Sequence, residues 1–158
     1  PGGPSIQKAA QEGNPKAFNF PKAKLSEPYN FSFSGLKTAV LRTVEELKTS
    51  SKALPVADLA ASFQQAVVAT LYEKTMQAAE EFGARELILA GGVSANKALR
   101  ETFRSQVKYK VHIPHISLCT DNAAMIAAAG YQHFIRKQLD DLSFDVLPNW
   151  PLTATMEV

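Results

Sequence analysis

One short unit constrains this chain more than any other. The apolar run Glu86-Leu87-Ile88-Leu89-Ala90 has the length and content of a buried strand. It leads directly into the tight turn Gly91-Gly92-Val93-Ser94-Ala95-Asn96, and a helical pattern continues from Lys97 to Gln106, with Leu99 and Phe103 inward. A second strand is expected from Lys110 to Ile113, ahead of Pro114. Strands alternating with helices specify an α/β layer fold.

The rest of the chain supplies helices. Ser5 is placed to cap a short helix ended by Gly13-Asn14-Pro15. Residues 17–34 carry Phe18, Phe20, Phe31 and Phe33 among small or polar residues and read as extended chain, with a turn near Glu27-Pro28-Tyr29-Asn30. Ser34-Gly35 opens a helix with Leu36, Val40, Val44 and Leu47 apolar, and residues 50–55 form a linker. The longest periodic segment runs over 56–82. Val56, Leu59, Ala60, Phe63, Val67, Leu71, Ala78 and Phe82 share one face, Asp58 lies in the first turn, and Gly83 ends the helix. The last helix runs from the CTDN stretch to about Lys137, and an irregular tail from about Phe144 holds Pro148, Trp150 and Pro151.

A chain of 158 residues can bury one proper core, and 46% hydrophobic content is that of a globular protein. The net charge of +2 argues neither for nor against a nucleic-acid partner. The single cysteine, Cys119, excludes an internal disulfide and fits a reducing compartment. No apolar run reaches membrane-spanning length, and no secretory signal opens the chain. The opening Pro1-Gly2-Gly3-Pro4 has no initiator methionine and reads as a fragment cut from a longer protein.

Three stretches bear on chemistry. In LILAGGVSAN, Gly91 and Gly92 let bare backbone approach a ligand, and the next helix offers N–H groups to an anion. Asn96 is placed to bond a sugar hydroxyl or a base edge. The alternative is a plain turn with Ser94 as N-cap. In CTDNAAMIAAAG, Asp121 is a hard oxygen ligand at a strand-to-helix junction, and the small residues of the helix let something come close. The alternative there is capping by Thr120 or Asp121. In FSFSGLKTAV, Lys37 stands against the dipole of its helix's first turn, which suggests an anionic partner such as tRNA or phosphate; the alternative is a solvated lysine. His112 and His115 bracket Pro114 and do not form a zinc-protease pattern; one is expected at the core edge and the other in a loop. A Cys/His nucleophile pair is unsupported, and Cys119 is expected to be a small buried thiol.

Taken in order, PGGP, NFSFSGLKTAV, LILAGGVSANKALR and CTDNAAMIAAAG resemble the C-terminal part of the tRNA threonylcarbamoyl transferases, a family once described as O-sialoglycoprotein endopeptidases. The resemblance runs from Pro1 to about Leu152, and the FSFSGLKT form points to a bacterial or organellar member rather than an archaeal one. It implies an actin-like, sugar-kinase-like ATPase fold (ASKHA). Residues 1–158 would be one domain, the C-terminal lobe of a two-lobe enzyme. It implies transfer of threonylcarbamoyl from threonylcarbamoyl-AMP to the adenosine beside the anticodon in tRNAs reading codons that start with A.

The same resemblance implies one iron or zinc ion, held by Asp121 and by two histidines that this chain lacks, with the metal polarising the threonylcarbamoyl group. It implies that Asn96 contacts the nucleotide of ATP, ADP or threonylcarbamoyl-AMP, with Gly91 and Gly92 beside it and Gly3 as a further substrate contact. Four residues after Gly3 many members carry an acidic residue, and here it is Gln7. The implied partners are tRNA, a non-catalytic paralogue and a small P-loop ATPase, with no membrane. The implied compartment is the cytoplasm, or an organelle. Lacking the histidines, the isolated chain is expected to be inactive. The rival readings are a nucleotide-binding lobe of another actin-like ATPase and a non-catalytic partner-binding domain. The older protease description needs an activated nucleophile or a complete metal site, and neither is visible.

Overall fold

A computed structural model describes residues 2–50, 53–143, 145 and 149. The irregular tail expected from about Phe144 therefore lies, but for Asp145 and Asn149, outside the described residues. The chain falls into two units, Pro1–Thr120 and Asp121–Val158.

The first unit opens with helix α1, Gly2–Ala10. It begins three residues before Ser5, so Ser5 is not its cap. Residues 19–33 pair with no strand among the described residues and turn at 26–29. Helix α2 spans Ser34–Thr49 and α3 spans Val56–Glu81. Gly83, with φ of +60°, ends the α3 turn in the left-handed region that favours glycine.

α3 organises the unit. Near its start, Leu59 and Ala66 pack with Phe20 and Leu36. Further along, Val68 packs with Leu99 and Phe103. The single apolar face expected for this helix is incomplete as a description. Val56 and Phe82 are exposed, whereas Ala61, Ser62, Ala66, Val68, Thr70 and Ala79 are buried. The helix has neighbours on more than one side, α1, α2 and α4, so small residues off the stripe are covered as well.

Strand β1, Glu86–Ile88, pairs in parallel with β2, Lys110–His112, with Leu87 opposite Val111. Between them stand a 3₁₀ turn, Gly92–Ala95, and helix α4, Lys97–Ser105. A parallel pair requires such a crossover connection. Leu87, Leu89 and Val111 pack on the Leu99–Phe103 cluster. Ile88 alternates to the opposite face and is 79% exposed, so β1 is not the buried strand its composition suggests. A short 3₁₀ turn, Ile116–Leu118, closes the unit.

The second unit holds helix α5, Ala123–Ile135. Its N-cap is Asn122, whose side chain accepts the Met125 N–H at 3.0 Å, so neither Thr120 nor Asp121 takes that place. α5 buries none of its residues; Met125, Ile126, Tyr131 and Phe134 are exposed. No helix among the described residues is long and apolar enough to cross a membrane.

Candidate functional site

The turn after β1 is built by backbone conformation and then locked by side chains. Gly91 has φ of +82°, which a residue with a Cβ adopts only under strain. Gly92 has no such requirement. Among the described residues a Cβ there would meet only Thr120 Cγ2, at 4.0 Å. The fold therefore needs glycine at 91 and leaves open space at 92.

Asn96, not Ser94, caps α4. Its Oδ1 accepts the Leu99 N–H at 3.0 Å, and its Nδ2 donates to Gln64 Oε1 on α3 at 2.8 Å. Gln7, one turn after Gly3 on α1, reaches the same place. Its Oε1 accepts the Lys97 N–H at 2.7 Å. The i, i+4 spacing puts Gly3 on the stripe of α1 that carries Gln7. Gln7 and Asn96 thus meet at the start of α4, a few residues after Gly91 and Gly92, while Gly3 lies one turn earlier than Gln7 on α1.

The arrangement at the start of α4 corrects one expectation, that this helix start offers its N–H groups to an anion. Two of its first three, those of Lys97 and Leu99, are already taken by amide oxygens of Gln7 and Asn96. Helix starts satisfy orphan donors with side chains whenever these lie close enough.

Behind the turn stands Arg100, 8% exposed. Its Nη1 donates to the Ser94 carbonyl at 3.0 Å and contacts Cys119 Sγ at 3.5 Å, and its Nη2 donates to the Pro114 carbonyl at 2.6 Å. One planar guanidinium so ties the glycine turn to the segment after β2. Sequence reading misses this role, and also that of Gln64. Neither a buried arginine nor a mid-helix glutamine carries a local signal of its partner. Ser94 is fully buried, and its hydroxyl has no hydrogen-bond partner among the described residues.

Lys37 is exposed in the first turn of α2, and its backbone N–H bonds the Phe33 carbonyl. Asp121 is exposed at the start of the second unit. Among the described residues no three of His, Cys, Asp and Glu gather to hold a metal ion. The donors present therefore do not make a complete iron or zinc site, which needs several ligands at once. His112 lies at the end of β2, where its Nε2 meets Glu86 at 2.5 Å. Lys110 Nζ is 3.2 Å from the same carboxylate. His112 first, and then Lys110, hold the Glu86 carboxyl below its ordinary range by favouring the ionised form. His115 bonds Ser117 through Nδ1, and Cys119 Sγ donates to the His115 carbonyl, not to its ring. Cys119 is buried, and no Cys/His nucleophile pair forms among the described residues.

A family model described as tRNA N6-adenosine threonylcarbamoyltransferase matches residues 1–128. Curated relatives that carry this name are similar along nearly the whole chain. That of Thermomicrobium roseum is 48% identical over 98% of this chain and 47% of the relative. That of Acaryochloris marina is 46% identical over 100% and 46%, and that of Fervidobacterium nodosum 46% over 95% and 46%. The chain spans about half the length of the curated relatives it matches. With a family model covering most of its residues, and the glycine turn and its asparagine inside the match, the chain belongs to the tRNA N6-adenosine threonylcarbamoyltransferase family.

Proposed function

We propose that this chain supplies the nucleotide-facing part of a tRNA N6-adenosine threonylcarbamoyltransferase. The observation that carries the reading is the turn Gly91–Asn96, with open space at Gly92 and a half-buried Asn96 amide, inside the region matched to the family. In this reading the surrounding architecture is the C-terminal lobe of an actin-like ATPase fold. The parallel β1–α4–β2 unit is consistent with it, though a two-stranded sheet is common to many α/β folds.

The ligand is threonylcarbamoyl-AMP, or ATP or ADP in its place. Asn96 meets the nucleoside portion, and the backbone at Gly92 and Gly3 lies against the ligand. The reaction is acyl transfer. The adenosine N6 attacks the threonylcarbamoyl carbonyl carbon, a C–N bond forms, the C–O bond to AMP breaks, and N6 releases one proton. Because the acyl group arrives activated, the protein's task is to hold donor and amine in line. Asp121 is offered as one carboxylate ligand for an iron or zinc ion. The described residues do not complete that site, and no step is assigned to the metal. Lys37 is offered as a contact for tRNA phosphate. A non-catalytic paralogue and a small P-loop ATPase are the proposed protein partners, and the cytoplasm, or an organelle, is the proposed compartment.

The test is threonylcarbamoyl transfer to tRNA. It compares the 158-residue chain alone with the chain mixed with the half of the Thermomicrobium roseum relative that it does not match. Transfer only in the mixture, lost on Asn96→Ala, is the expected outcome. Equal transfer by Asn96→Ala would remove Asn96 from the site.

A further inference from the structure

We propose that Gln64 is a positioning residue for Asn96, holding its amide plane so that the free Nδ2 hydrogen and Oδ1 lone pair both face the nucleotide. This rests on the nucleotide reading above. An asparagine amide has two ends of nearly equal size and opposite hydrogen-bonding character, so its partners decide its orientation. The Leu99 N–H needs an acceptor, which sets Oδ1 toward the helix, at 3.0 Å. Nδ2 then faces α3, where Gln64 presents Oε1 at 2.8 Å. Two amide nitrogens facing each other would repel, so Gln64 is held in its own acceptor-forward orientation.

One Nδ2 hydrogen and one Oδ1 lone pair remain on Asn96. They form an adjacent donor and acceptor, which suits a sugar hydroxyl or a base edge. A phosphate, having only acceptors at its ionised oxygens, would use one of the two. Gln7 steadies the same turn from the other side through the Lys97 N–H at 2.7 Å. Gln64 touches no ligand in this scheme. It acts through Asn96 alone, and that makes it separable by experiment from a general structural role.

ADP is titrated calorimetrically into the full chain and into Gln64→Met, Gln64→Glu, Asn96→Ala and the Gln64→Met/Asn96→Ala double variant. The salt is high enough to screen the charge that glutamate adds. Gln64→Met, equal in length and without an acceptor, is expected to weaken ADP binding about fivefold, the scale of one lost hydrogen bond. Gln64→Glu keeps the acceptor and is expected to bind close to the unsubstituted chain. On the Asn96→Ala background, Gln64→Met is expected to add nothing. Gln64→Ala replaces Gln64→Met if the latter does not fold.

Equal weakening by Gln64→Met in both backgrounds would overturn the proposal, because Gln64 would then act without Asn96. Weakening by Asn96→Ala but none by Gln64→Met would overturn it too, while the nucleotide reading stands. No ADP binding by the unsubstituted chain, either alone or mixed with the half of the Thermomicrobium roseum relative that it does not match, would sink the nucleotide reading itself, and the positioning role with it.

Discussion

Replacing Gly13 with alanine tests the packing of the first unit at its tightest point. A Cβ on Gly13 would lie 2.0 Å from the Ala57 carbonyl oxygen, 2.3 Å from its carbon and 2.8 Å from the Asp58 nitrogen. These are backbone atoms in the first turn of α3 and have no rotamer to change. To reach ordinary contact the turn after α1 must retreat by about 1.4 Å from Ala57. That retreat pulls apart the hydrogen bonds between residues 14–18 and α3. The Asn14 N–H donates to Asp58 Oδ1 at 2.7 Å, the Ser62 hydroxyl donates to the Asn14 carbonyl at 3.3 Å, and the Phe18 N–H donates to Ser62 Oγ at 3.1 Å. Overpacking costs about 1–3 kcal/mol, and loss of a hydrogen bond to a charged carboxylate about 1.5–3 kcal/mol. The two overlap, since the clash is relieved by breaking the bond, so the expected loss is about 3 kcal/mol. For a chain of this size that lowers Tm by roughly 10 °C. Urea unfolding monitored by circular dichroism reads the change as a lower midpoint at unchanged slope. A loss under about 0.5 kcal/mol, the range of an ordinary surface change, would refute the reasoning. Gly130→Ala is the contrast. Among the described residues no atom lies within 4 Å of a Cβ at that position of α5, so the same substitution should raise helix stability by about 0.5–1 kcal/mol.

Three more substitutions have outcomes set by the geometry. Arg100→Met should destabilise the first unit by about 2–4 kcal/mol in urea unfolding, because the Ser94 and Pro114 carbonyls lose a buried donor; Arg100→Lys should not restore it, since an ammonium cannot span both. Asn122→Ala should cost α5 about 1 kcal/mol by removing the cap on Met125, read as lower helicity, whereas Asp121→Ala should leave helicity nearly unchanged. The Glu86 cluster makes stability acid-sensitive with a definite sign. Its carboxyl is held below the ordinary 4.5 by His112 and Lys110, so its contribution is present above that value and is lost as pH falls through the lower folded one. Glu86→Gln should flatten the pH dependence of stability in that acid window, because it removes at neutral pH the same small contribution that acid removes from the unsubstituted chain.

The local elements are legible in the sequence alone. α2, α3, α4 and the two short strands stand where hydrophobic period and turn residues place them, because a helix or strand is specified by neighbours a few residues apart. Asn96 at a helix start and Gly91 at a turn that needs positive φ are legible too, since both are local backbone matters. The four motifs in order carry the family resemblance, and the match over residues 1–128 establishes it. Beyond the reach of sequence lies every interaction between residues far apart in the chain. Asp58 reads as a dipole effect and is in fact the acceptor for Asn14, 44 residues away. Gln7 reads as a departure from an acidic substrate contact and is bonded to the start of α4, 90 residues away. Ile88 reads as buried because its run is apolar, yet only the alternate face of β1 has a layer against it in the first unit. Gln64 and Arg100 carry no local signal at all, because a hydrogen-bond donor or acceptor is defined by its partner. Folding alone brings that partner within reach, and it is those long-range partners that decide how the Asn96 turn is held.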